Sequence, residues 1–222
     1  MKILCRAVFS LILFTGLQVH AAEVPRKINW DDLVPKFPPL KHPFHQLSMQ
    51  QLLDLEFLVS IDKRREEGKI SNVHAIFEKG VEVHHALTSQ GLDVDRLIAA
   101  YNRWEKEIAK RNQMTNIKFQ GQIVRIPGYA LPLEHEDMGV KEFLLVPYVG
   151  ACIHVPPPPA NQTVYVRLNK AHTFNDLYEP VWITGHISIK AASQKLFLVD
   201  GSADIDTGYT LEGVRIEPYE EE

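Results

Sequence analysis

The sequence predicts an α+β protein, with an N-terminal helical segment packed on a C-terminal small antiparallel β-barrel. Two observations carry this expectation. Between Ser48 and Arg111 apolar residues recur at three- and four-residue steps, the period of helices that bury one side. From about Lys118 the pattern changes to short β-type runs separated by Gly, Pro and Asn. Many short strands with few helices between them favour a sheet closed on itself. The expected form is a five- or six-stranded barrel of the oligonucleotide/oligosaccharide-binding (OB-like) type.

Residues 1–21 have the layout of a secretory signal peptide. Lys2 and Arg6 supply a positive start, Ala7 to Val19 is almost wholly apolar, and Ala21 offers a small residue before a cut. The apolar run is shorter than the roughly 20 residues a spanning helix needs. Cleavage is therefore expected, with export to the periplasm and no membrane insertion of the mature chain. Loss of Lys2 and Arg6 takes the formal charge from −4 to −6. A mildly acidic surface is a poor match for nucleic acid, which needs a basic one, and nothing polybasic is present for anionic lipid.

Residues 22–47 form a proline-rich strap. Pro35, Pro38, Pro39 and Pro43 forbid continuous helix, and Trp30 and Leu33 are expected to pin the strap to the domain. The helical segment spans 48–115. Ser48 caps its first helix, which carries Leu52, Leu55 and Leu58 or Val59 and stops at Gly68. A second helix covers about Asn72 to Thr88, with Gly91 just past its end. The third is capped by Asp93 and places Val94, Leu97, Ile98, Tyr101, Trp104 and Ile108 on one side. The β-barrel domain occupies 116–222. Its expected strands are Gln122–Ile126, Tyr129–Leu133, Glu142–Val149, Ala151–Val155, Gln162–Leu168, Pro180–Lys190, Leu196–Val199 and Tyr209–Glu217, ahead of an acidic tail.

One string stands out: Phe143 to Val155, reading FLLVPYVGACIHV, followed by Pro156–Pro159, Asn161 and Gln162. It holds Cys152, the only cysteine left after signal removal, and His154 two residues on. With Trp30–Leu33, Val124–Tyr129 and Pro180–Gly185, it makes the chain resemble a bacterial family of exported proteins, the domain of unknown function 3299. The hallmark of that family is FLLVPYxGACIHVPPPPxNQ. The resemblance spans roughly 118–217 plus the short tryptophan segment and leaves the helical segment unaddressed. It implies a periplasmic protein of Gram-negative bacteria and an accessory role beside an ABC-type transporter, in gene groups linked to zinc supply. It implies no catalytic residues, although Cys152 and His154 match its motif.

In an extended chain, residues two apart share a face. Leu145, Val149, Ala151, Ile153 and Val155 would point inward, and Val146, Tyr148, Cys152 and His154 outward. On the strand around Trp182, His186 would also point outward. If the strands are neighbours, Cys152, His154 and His186 form a candidate metal site suited to Zn²⁺ or copper, completed by water or an acid from Glu134–Asp137. The competing reading packs Cys152 as a small hydrophobe and gives His154 a backbone partner. It carries more weight, because a single Cys-x-His is weak beside paired Cys-x-x-Cys motifs. Gly150 and the prolines can also shift the register.

Other histidines carry less. His74, Glu78, Glu82 and His85 share a helical side and read as a solvated polar stripe. His42, His45, His135 and His172 sit in the strap or in expected loops. Thiol chemistry has little support, since Cys–His hydrolases draw the two groups from distant parts of the chain. The proline run suits a rigid crossover in which Asn161 and Gln162 satisfy nearby backbone groups.

The expectation is thus a periplasmic accessory protein without enzymatic activity. It would handle zinc, or serve a membrane transporter or another periplasmic partner, through the surface around Cys152 and His154. The alternatives are a protein-interaction module with structural Cys and His, and a thiol-dependent hydrolase or redox protein.

Overall fold

The structure, a computed structural model, describes residues 23–40, 43–69, 75–133, 139–152, 156–174, 176–198 and 201–220. The expected signal peptide lies outside them, as do His42, His74, residues 134–138 with His135, and residues 153–155 with His154.

The protein is α+β. A two-residue strand β1 (Arg26–Lys27) and a single-turn helix α1 (Trp30–Leu33) precede helices α2 (Met49–Glu66), α3 (Ala75–Ser89) and α4 (Val94–Gln113). Strands β2 (Ile123–Pro132), β3 (Val140–Val146), β4 (Val164–His172), β5 (Glu179–Leu198) and β6 (Gly201–Pro218) follow. The helix ends are where the side chains place them. Ser48 and Gln51 form a capping box at α2, and the Asp93 side chain accepts from the Arg96 amide at α4. Gly68 and Gly91 follow α2 and α3 at positive φ, a conformation glycine adopts without penalty.

The strands form one mixed sheet. Antiparallel ladders join β2 to β3, β3 to β4, β5 to β6 and β2 to β5, a parallel ladder joins β4 to β6, and β1 adds in parallel to β2. Strands β2, β3, β4, β6 and β5 thereby close a ring of pairings. Its interior is packed by Val124, Ile126, Phe143, Leu145, Ile183 and Tyr209, all without solvent exposure.

Two expected breaks are absent. Pro127-Gly128 does not end a strand but sits inside β2. Pro127 lies past the last β1 rung at Arg125 and before the first β3 rung at Tyr129, on the side where Arg125 bonds β1. Its missing N–H therefore leaves no ladder bond unmade. Gly128 is needed because a Cβ there would stand 2.8 Å from both Trp30 and Leu145. Likewise, Pro180–Lys190 and Leu196–Leu198 belong to one strand, β5, whose far arm pairs with Gly201–Thr207 of β6, while Val199 lies outside the described residues.

That far arm explains the unbroken apolar run of β3. Phe143 and Leu145 face the ring interior, whereas Leu144 and Val146 pack in a second cluster with Tyr165, Leu196 and Ile205. Both faces of β3 are buried, so polar alternation never appears. Val146, expected to point to the outside, is fully buried for this reason.

The helical layer has its own small core of Leu58, Leu87 and Val94. Gly80 permits α3 to approach α2, since a Cβ there would meet Ile61 at 2.7 Å. The join to the sheet is polar and buried. Asn161, 2% exposed in the 3-10 turn Ala160–Gln162, donates its amide to the carbonyls of Arg111 (2.8 Å) and Met114 (3.0 Å) at the end of α4. The Tyr209 hydroxyl on β6 donates to the Leu33 carbonyl at 2.6 Å and accepts from the Asn116 amide at 2.5 Å. Asn116 in turn donates to the Asp32 carbonyl at 2.9 Å. Leu33 and Trp30 do pin the strap as expected, Leu33 being fully buried and Trp30 packed against the interior cluster.

Asn161→Ala leaves two helix-end carbonyls without this donor in a buried position. It should lower the unfolding free energy by about 2 kcal/mol in urea denaturation, and an unchanged midpoint would contradict the role given to this amide.

Candidate functional site

Cys152 does not stand on a strand. After β3 the chain turns through residues 147–150, with Gly150 at φ +84°, and Cys152 itself adopts φ +70°. This left-handed backbone breaks the expected alternation. Ala151 and Cys152 both enter the second cluster, at 0% and 7% exposure, while Val149, expected inside, is 61% exposed at the turn. Facing them is Tyr178, also left-handed at φ +63°, whose hydroxyl donates to the Ala151 carbonyl. Each such non-glycine residue costs on the order of 1–2 kcal/mol, which the burial of Cys152 and Tyr178 side chains offsets.

The electrostatics follow from this enclosure. Burial pushes the Cys152 thiol from its ordinary 9.0 up to about 11. Burial first, and a Cys152 charge second, push the Tyr178 phenol up to about 12. The thiol is therefore a neutral apolar group at physiological pH.

His186 is elsewhere. It is exposed on β5, with Ile123 of β2 and Glu212 of β6 as its cross-strand neighbours. The structure therefore places Cys152 in the second buried cluster and His186 on the exposed side of β5, and His154 lies outside the described residues. Among the described residues, no group of three His, Cys, Asp or Glu is placed to hold a metal ion. Glu78 and Glu82 are exposed on α3, with Glu82 paired to Lys79 at 2.9 Å.

A cleft of about 560 Å³ opens between α2, α3 and α4, floored by Leu58, Ile61 and Ile98. His84 spans its side to Asp95 at 3.3 Å, and His85 lines it. On the outer wall of the ring, Trp182 is enclosed by Arg125 and Lys27 (4.2 and 4.9 Å to its ring) and stacked with Tyr219. Glu217 bridges Arg125 and Arg215 at 3.5 and 3.2 Å. Sequence reasoning missed this array, because only the pairing of Arg125 with Thr184 and of Thr184 with Arg215 sets those residues side by side.

The family model for DUF3299, described as a protein of unknown function, matches residues 30–218. The chain belongs to the DUF3299 family. The match includes the helical segment, which the string-based resemblance left out, so DUF3299 covers helices and sheet together. A crystal structure of a DUF3299 family protein from Pseudomonas aeruginosa PAO1 is similar to this chain at 26% identity. The alignment covers 90% of this chain and 99% of that one, with a TM-score of 0.48. No curated protein matches. In this DUF3299 member the hallmark string builds a buried strand, a left-handed turn and the Asn161 joint.

The raised thiol fixes a pH dependence. An unfolded Cys152 ionises from about pH 9 and the folded one only near 11. Between those values the unfolded chain alone loses its proton, so the stability from this group is intact below pH 9 and falls as pH rises to 11. Relative to Cys152→Ala, the wild type should lose about 2 kcal/mol of unfolding free energy over that window. A flat difference would show that the sulfur is solvated.

Proposed function

We propose that this DUF3299 chain is an exported accessory protein that acts by binding another protein, with Cys152 serving packing instead of catalysis or metal transfer. The observation that carries this reading is the enclosure of the thiol, 7% exposed and raised to about 11. A nucleophile or zinc ligand has to present a thiolate to its reactant, and this sulfur is held neutral among Leu131, Leu144 and Tyr178. The interaction-module reading is favoured over zinc handling and over thiol chemistry on that ground.

Periplasmic location is part of the proposal and rests on the signal-like residues 1–21. The partner suggested by the family resemblance is a membrane transporter or its periplasmic component. We also read the ring as an OB-like barrel carrying the helical layer. The support for that is its order, five strands closing on themselves with a single parallel ladder between the third and the fifth. Folds of this kind host many activities, so the shape alone assigns none.

The reading is tested on untagged mature protein by thiol titration and metal analysis. Cys152 should react with a disulfide reagent only in denaturant, and zinc bound after dialysis should be far below one per chain, with no change in Cys152→Ser. Rapid labelling of the native protein, or stoichiometric zinc lost on Cys152→Ser, would replace this reading with one of the other two.

A further inference from the structure

We propose that an open seam between β4 and β6 accepts an extended, acidic segment of a partner polypeptide by strand addition; this rests on the binding role above and names the form of the partner. The parallel ladder between these strands runs from Val164 opposite Tyr209 to Leu168 opposite Gly213 and stops. Both strands continue, β4 to His172 and β6 to Pro218.

Two bulges hold the seam apart. Along β4, pairing with β3 passes from Arg167 opposite Glu142 to His172 opposite Val140, so five steps on β4 answer two on β3. Asn169, Lys170 and Ala171 carry no rung in either ladder and are exposed. Along β6, pairing with β5 passes from Gly213 opposite Gly185 to Arg215 opposite Thr184, which leaves Val214 as an extra residue, 57% exposed. Extra residues of this kind bend a strand and end local pairing. The last rung is held close by Gly213, where a Cβ would meet Leu168 at 2.7 Å. Beyond it lies a groove of about 380 Å³ lined by residues 168–172 and 213–216.

An exposed strand edge offers a row of N–H and C=O groups to a further strand. On β6, residues 215–218 pair with β5 on one side and have no rung to β4 on the other. That length suits a segment of about five residues at roughly 3.4 Å each. The side chains set its character. Leu168 is 6% exposed and Ile216 packs against the ring interior, so alternate residues of the incoming strand meet an apolar floor. The groove lining carries Lys170, His172 and Arg215, of which Arg215 also reaches Glu217 at 3.2 Å, and no Asp or Glu lines the groove itself among the described residues. Acidic residues in the incoming strand complement that lining.

The test uses the full mature chain and two synthetic hexapeptides, one alternating Glu and Val, the other alternating Lys and Val, followed by backbone amide NMR. The acidic peptide should shift amides of residues 168–172 and 213–218. The exposed double variant Lys170→Glu/Arg215→Glu should weaken it about tenfold, and N-methylating alternate peptide amides should weaken it in the wild type. Equal binding of both peptides, shifts confined elsewhere, or no shift with either would overturn the seam proposal. Concentration-dependent shifts at the seam without peptide would make a second copy the occupant and also overturn it. None of these outcomes bears on the thiol and zinc measurements, so the broader binding reading fails or survives separately.

Discussion

The architecture depends on one buried polar joint. Asn161 and Tyr209 are the points where the strap, the end of α4 and the sheet meet through hydrogen bonds to backbone. Buried carbonyls at a helix end must find donors, and here the Asn161 amide from the turn after the proline run supplies one to Met114 and a second, beside the Met114 N–H, to Arg111. A Cβ on Gly208 would stand 2.8 Å from both the Ala160 carbonyl and Thr115. The neighbouring segments therefore touch at this point, where hydrogen bonds tie the helical layer to the sheet.

This joint also gives the family string an architectural meaning. Its apolar part is a strand enclosed on both faces, its Gly150–Cys152 part is a strained turn locked by Tyr178, and its Asn161 ties helix to sheet. A cysteine in such a turn serves as a compact apolar side chain. On the surface, the β4–β6 seam is flanked by a bulge on each of its strands.

Much of the fold was legible in the sequence, and the limits have physical causes. Ser48, Asp93, Gly68 and Gly91 mark helix ends because caps and left-handed glycines act locally. The role of Asn161 toward backbone was also readable, although its partner 50 residues away was not. The left-handed φ of Cys152 was hidden, because nothing local requires it; it is imposed by the fit of the turn against Tyr178. The outward position expected for Val146 failed because the arm of β5 and β6 that covers it is set by long-range pairing. The seam and the Trp182 array are products of register, which short-range patterns do not encode.

If the joint is the organising constraint, helical layer and ring should unfold together only while it is intact. The direct measurement is equilibrium unfolding of wild type and the double variant Asn161→Ala/Tyr209→Phe, followed by hydrogen exchange in α4 and in β2. The account predicts one coincident transition in the wild type and two in the variant, with α4 opening first. Coincident transitions in both proteins, with α4 as protected as β2, would contradict it.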